Sequence, residues 1–428
     1  MLTIAKRISW VIFLLLSCRS LELVDRGFTY RMEGVWIYGL GAIFLFGLLR
    51  GRKIICSRTG AYAAFIMVYF PVTVALVTHL KWDQPLWYGI AIMRRFFLLL
   101  FVLMLDQQFS RRKLGLDEVE KILVWTAWAQ LTLFLAGPLF NKEVSLGMSA
   151  VKGDIIGGKT FFLVYGFFYY AWQAFEALVP WKKYLHAFLS AVFLSVMTFL
   201  HKGRGLFFSA ALALGVVFVF RKVSARKKIT RTILGLFFLL LLGLILLSIF
   251  QHEFLERAKQ FVAASHEAAK VVVTGKKSED ASANVRLDQI AFMRQNTKNW
   301  FFGEGVLHDN WEGKRNILPS YFFASDIGWF GIIYLHGWIG LFILLWQFVL
   351  ARKYSNEWRD VKRKTFCLAA QTMCLFCFLN SFATGMMSFA PANALVFVLI
   401  MQEIMKEQRG EIVEEKGRQR GITEFGRK

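Results

Sequence analysis

Proline is scarce in this chain, with six in 428 residues, and no low-complexity stretch marks a disordered region apart from the charged final segment, 406–428. Cysteine is equally thin. Of Cys18, Cys56, Cys367, Cys374 and Cys377, only the last two have CxxC spacing, and they lie inside the apolar run 366–382. A redox or zinc motif needs polar access, so these thiols read as small buried hydrophobes, and no disulfide framework is implied. Acidic residues are also few: 29 Asp and Glu stand against 52 Lys and Arg, for a net charge of +23. In a soluble protein that excess would suggest nucleic acid. Here it sits in short blocks between apolar runs, such as Arg221, Lys222, Arg226, Lys227, Lys228 and Arg231, so nucleic-acid binding is set aside.

What the chain does have is apolar surface. It is 56% hydrophobic and 16% aromatic, with a mean hydropathy of +0.47. A soluble fold could not cover that content, whereas a bilayer solvates apolar side chains on every face. Runs of spanning length fall at 4–23, 34–50, 60–79, 86–106, 119–138, 159–179, 184–200, 205–220, 231–250, 325–350, 364–383 and 388–405. The expectation is an all-α polytopic membrane protein of about twelve spans. Lys6-Arg7 followed by Ile8–Cys18 has the look of a signal peptide. No clear small-residue cleavage site follows, so it reads as a retained first helix.

Basic blocks at 50–58, 111–113, 182–183, 221–231 and 352–364 fall on alternate loops. The positive-inside rule then places both termini in the cytoplasm of a bacterial inner-membrane protein, with the intervening loops outside. The organisation becomes nine spans over 1–250, a large outer loop over 251–324, three spans over 325–405 and a charged cytoplasmic tail over 406–428. The large loop has a helix-like stretch at 253–273 and a polar segment at 274–284. A second amphipathic stretch, 285–299, leads into the Gly-rich turn Trp300, Gly303, Gly305.

Cations at the outer face are few enough to be informative. Arg204 occupies the tight turn between the seventh and eighth spans, and Arg286 opens the second amphipathic stretch. Arg94 and Arg95 interrupt the fourth span, where a charge costs about 2.5–3.5 kcal/mol and therefore faces a polar cavity or a partner. The plain alternatives are an arginine reaching lipid phosphate for Arg204 and a solvated helix face for Arg286. Four guanidiniums near one outward hollow would suit a diphosphate, bound in bidentate fashion, and a lipid diphosphate would place its head group at that depth.

The sequence HKGRGLFFSAAL around Arg204 resembles the first arginine motif of the bacterial O-antigen ligase and O-antigen polymerase superfamily. NVRLDQIAFMRQNTKNWFFGEG resembles its second, with Arg286 ahead of a tryptophan and a Gly-x-Gly turn. SDIGWFGIIYLHGWIGLFILL, carrying Asp326, Gly328 and Gly331, is similar to the helix that follows. The likeness covers mainly 200–345. It implies a metal-independent, cofactor-free glycosyltransferase moving glycan from undecaprenyl diphosphate to a sugar hydroxyl, alongside other polysaccharide-assembly proteins. Arg204 and Arg286 would converge on the leaving diphosphate and stabilise its charge. No Asp-x-Asp occurs in an outer loop, consistent with that implication.

One departure tilts the reading from ligase to polymerase. Ligases of that family carry a His-Asn pair about eleven residues before the glycine matching Gly328, and here Ile317 and Leu318 stand there. Two candidates remain for a general base: His308, otherwise an exposed loop histidine, and Asp326, otherwise a helix cap shared with Ser325. A lipid-linked oligosaccharide transporter or flippase is the rival class. His336 reads as a histidine bonded between helices, and Trp300, Trp311 and Trp329 as belt residues or sugar platforms.

Overall fold

The computed structural model describes residues 4–17, 20, 26–50, 56–140, 160–197, 204–220, 277, 281–355 and 364–425. Among them the secondary structure is helical throughout. In chain order the helices are α1 (Ile4–Ser17), α2 (Arg26–Leu49), α3 (Arg58–Trp82), α4 (Leu86–Ile92), α5 (Leu99–Ser110), α6 (Leu116–Phe140), α7 (Phe161–Glu176), α8 (Pro180–Ser195) and α9 (Arg204–Phe220). They continue with α10 (Ala281–Asn296), α11 (Gly328–Ser355), α12 (Lys364–Ala383) and α13 (Pro391–Phe425), which runs on through the charged C-terminal segment.

Among the described residues, four stretches are long and apolar enough to cross a membrane: Arg58–Trp82, Leu116–Ala136, Ala324–Ser355 and Lys364–Ala383. A fifth arises if α4 and α5, bent by 51° at Met93, count as one broken span. The ninth expected span (231–250), the loop helix at 253–273 and most of the outer loop expected at 139–158 lie outside the described residues.

Local signals account for the ends. Ser57 caps α3 by accepting the Gly60 N–H at 3.1 Å, and Asp83, at φ 55°, closes its other end with an N–H to the His79 carbonyl. Pro180 opens α8, where a missing N–H costs nothing. Packing is dense and aromatic. Phe13 stacks on Phe101 at 4.2 Å, Phe70 on Phe96 at 4.7 Å, and α13 is buried all round from Leu395 to Met401 by α3, α5, α11 and α12. Lipid is as apolar as leucine, so directional contacts between helices add specificity. Trp172 Nε1 donates to Thr372 Oγ1 at 2.9 Å, and Gln402 Oε1 accepts from both Thr59 and Tyr354.

Polar pairs at the two ends of the bundle show that the helices alternate in direction. At one end the start of α1 meets the start of α6 through Arg7 and Glu118. Ser57, before α3, donates its N–H to Asp106 late in α5, and Glu176 ending α7 pairs with Lys364 opening α12. The basic residues 111–113, 182–183 and 352–353 belong to this same end. The opposite end, called the loop end here, gathers residues 297–327.

Candidate functional site

At Gly337, about 14 Å along the helix from Gly328, α11 breaks. Inside a membrane each backbone group so released would cost several kcal/mol if left unbonded. The loop after α10 supplies the partners. The N–H groups of Glu304 and Gly305 donate to the carbonyls of Tyr334 and Leu335 at 2.6 and 3.0 Å. Those of Trp338 and Ile339 donate to the carbonyls of Trp300 and Phe301 at 2.8 and 3.2 Å. Residues 300–305 thus plug the break with backbone alone.

Glycine is required on both sides of this joint. Gly337 sits at φ 68°, and a Cβ there would lie 2.0 Å from the Phe301 carbonyl oxygen. Gly303 sits at φ 79°, and its Cβ would meet the Leu335 carbonyl carbon at 2.5 Å. The Gly-x-Gly turn noted in the sequence is therefore a plug shaped for α11.

A buried carboxylate holds the plug. Glu304 is 1% exposed. Its Oε1 accepts the N–H groups of Lys298 and Asn299 at 2.6 and 3.0 Å, and its Oε2 pairs with Lys81. Trp82 Nε1 adds a bond to the Glu304 carbonyl at 2.9 Å. Beside the plug, His336 is buried and hydrogen-bonded to Ser388 Oγ at 2.7 Å, tying α11 to the turn before α13.

The bend at Met93 is built differently. No glycine or proline marks it; the backbone tightens into a 3-10 turn, Arg94–Leu98, with the Phe96 N–H donating to the Met93 carbonyl at 2.9 Å. Arg94 and Arg95 lie at this turn, and the Nε of each stands 3.8 Å from Glu33 Oε1 of α2. Glu33 is 1% exposed, Arg95 11% and Arg94 44%. The two arginines therefore share one buried carboxylate, and Arg94 is the more exposed of the two.

The loop then crosses to the neighbourhood of Arg94. Buried Gln84, in the turn between α3 and α4, accepts the His308 N–H on Oε1 at 2.8 Å and donates from Nε2 to Thr78 Oγ1 at 3.1 Å. His308 packs its ring against Tyr88 at 4.8 Å. Partial burial first, then the nearby charges of Arg94 and Lys314, hold the His308 imidazole below its usual titration range against the opposing pull of Asp309. His308 Nδ1 lies 3.1 Å from the Asn310 N–H and accepts it. In the neutral ring the proton then sits on Nε2, which makes His308 a donor.

No protein-family model, curated protein or solved structure matches this chain.

Of the residues singled out from sequence, the structure brings Arg94, Arg95 and His308 into one neighbourhood, with Trp300, Gly303 and Gly305 in the plug beneath the same loop. Arg286 lies exposed on the first half of α10 and forms no ion pair among the described residues. Asp326 lies in the 3-10 turn Ala324–Ile327 ahead of α11, where its Oδ1 accepts from Ser325 Oγ at 3.3 Å. Arg204 is the first residue of α9, but its side chain lies outside the described residues, and so does any convergence with Arg286. No cluster of metal-ligating side chains occurs among the described residues.

Sequence reasoning missed Glu33, Glu304, Lys81 and Gln84. The apolar run starts at Gly34 and leaves Glu33 outside the second expected span, whereas α2 begins at Arg26 and carries Glu33 two turns in. A lone carboxylate beside an apolar run, with two arginines inside another span, is the signal that would have paired them.

Proposed function

We propose that this chain is a glycan polymerase of the bacterial cytoplasmic membrane, with about twelve spans and its large loop outside. It joins lipid-linked repeat units into O-antigen, capsule or exopolysaccharide. The acceptor hydroxyl oxygen forms a bond to the anomeric carbon of the donor glycan. The bond from that carbon to undecaprenyl diphosphate breaks, and the diphosphate leaves with the bonding electrons. The hydroxyl proton passes to a carboxylate base, for which Asp326 is the candidate. Arg94, with Arg95 behind it, and the motif arginines Arg204 and Arg286 stabilise the negative charge growing on the leaving group.

One observation carries this reading: a half-exposed guanidinium at a charged break, Arg94, lies close enough to the His308 imidazole of the large loop for its charge to act on that ring. A guanidinium and an N–H donor in one neighbourhood suit an anionic leaving group. The ordered arginine motifs of the sequence point to the same chemistry.

The broken α11 is the feature that favours a transporter, since transporters use discontinuous helices whose open ends bind ions and substrates. At Gly337 the plug already bonds two carbonyls of the first half-helix and two N–H groups of the second, which leaves less of each terminus to a ligand. This favours the enzyme.

Cells lacking the protein should accumulate single repeat units on an outward-facing carrier, read by gel analysis of the lipid-linked pool. Units trapped inside would indicate a flippase and overturn the assignment. Alanine at Arg204 or Arg286 should abolish polymer while protein abundance stays near normal; unaltered polymer would refute the role given to these arginines.

A further inference from the structure

The short helix α4 ends the third-to-fourth connection with two adjacent aromatic residues, Trp87 and Tyr88. Trp87 is 60% exposed, and its ring stacks on that of Tyr88 with centroids 3.6 Å apart. Tyr88 in turn lies against His308 at 4.8 Å, and Trp87 stands 6.5 Å from the same imidazole.

Nothing in this group hangs on a loose loop. Gln84 is fully buried, three residues before Trp87, and ties the His308 backbone to Thr78 of α3. Asp83 locks the preceding turn by its αL backbone, and Trp82 bonds the Glu304 carbonyl. Asn310 fixes the imidazole by donating to Nδ1, leaving the ring proton on Nε2. The result is an exposed aromatic surface with a fixed N–H donor at its edge and the Arg94 guanidinium nearby.

Those elements together meet the needs of a carbohydrate. The C–H faces of a pyranose pack on aromatic rings, while its hydroxyls need donors and acceptors held at the edge. An aromatic belt residue needs only an apolar body and a wet tip. It has no use for a buried amide three residues away that pins a histidine beside it. We propose that Trp87, Tyr88 and His308 form a subsite for one sugar ring of the glycan, next to the arginine that holds the diphosphate. The inference rests on the polymerase reading and adds the group that selects the carbohydrate end of the substrate. Ring stacking of this kind is indifferent to charge, so specificity among sugars falls to the His308 edge.

The test is turnover in proteoliposomes, with lipid-linked repeat units extracted from cells lacking the protein as substrate. Trp87→Ala should raise KM for the repeat unit about tenfold with kcat within about twofold, and Trp87→Phe should recover most of the loss. An unchanged KM in Trp87→Ala would overturn the subsite while wild-type turnover left the polymerase reading standing. A defect that appears only as lost protein in the membrane, and that Trp87→Leu repairs as well as phenylalanine, would mark a belt anchor and also overturn it. Absence of turnover by the wild-type protein would bring down the polymerase reading and the subsite together.

Discussion

At Met93 the chain bends by 51° and repairs itself locally: a 3-10 turn keeps its backbone bonded, and side-chain charge is what the bend displays. At Gly337 the chain interrupts its own ladder, and residues 300–305, more than thirty positions upstream, supply the missing bonds. The first break spends side chains and leaves Arg94 half-exposed; the second is bridged by four backbone bonds. A bent span that presents charge is a place for a ligand, while one sealed by glycine and amide is a joint. Under the proposed function the contrast would put chemistry at the α4–α5 bend and rigidity in α11.

Substitution at the joint should give the largest effect. Gly337→Ala places a Cβ against the Phe301 carbonyl at positive φ, and should cost about 3 kcal/mol or more. Loss of most folded protein from membranes, with a lowered Tm in detergent for what remains, is the expected outcome. A variant of normal abundance would show that the plug is dispensable.

Glu304→Gln comes next. It keeps an acceptor for the Lys298 and Asn299 N–H groups but removes the charge facing Lys81, and should cost about 2–3 kcal/mol. Thermal unfolding in detergent measures it, and the double variant with Lys81→Met should lose less than the two single effects added together.

Arg94→Gln sharpens the comparison by reversing the pattern. With 44% of its side chain exposed, Arg94 should contribute no more than about 1 kcal/mol to stability. Polymer yield should nonetheless fall about tenfold or more. A loss of stability without loss of polymer would make this bend structural after all.

The smallest effect is electrostatic. His308 should titrate below its ordinary value of 6.5, because burial and the charges of Arg94 and Lys314 oppose protonation more than Asp309 favours it. NMR of labelled histidine should find the midpoint depressed in the wild type and raised by Arg94→Gln. A folded-state value below the unfolded one means that the stability tied to neutral His308 is present above pH 6.5. It is lost as the pH falls towards the folded midpoint.

Much of the architecture was legible because hydrophobic length and the spacing of lysine and arginine are additive signals. The all-helical character, the spans at 60–79, 119–138, 325–350 and 364–383, and the gathering of basic residues at one end follow from them. The polar partnerships were not. Glu33 and Glu304 look like surface residues in the sequence, and only the depth at which α2 and the plug enter the bundle makes them buried counter-charges. Arg94 and Arg95 were legible as charges interrupting an apolar run, but their shared carboxylate was not, because pairing depends on which helices touch. The Gly-x-Gly turn was visible as a motif; its use as a mate for Gly337 required seeing two distant stretches in register.

The plug also bears on how the molecule comes to be made. Residues 300–305 leave the ribosome before Gly337 does, so the segment that completes α11 already exists when the gap it must fill arrives. Threading in that order lets each newly inserted half of α11 find its bonds at once. A circular permutant opened at residue 320 would synthesise α11 first and leave it waiting, with bare amides in lipid, for its mate.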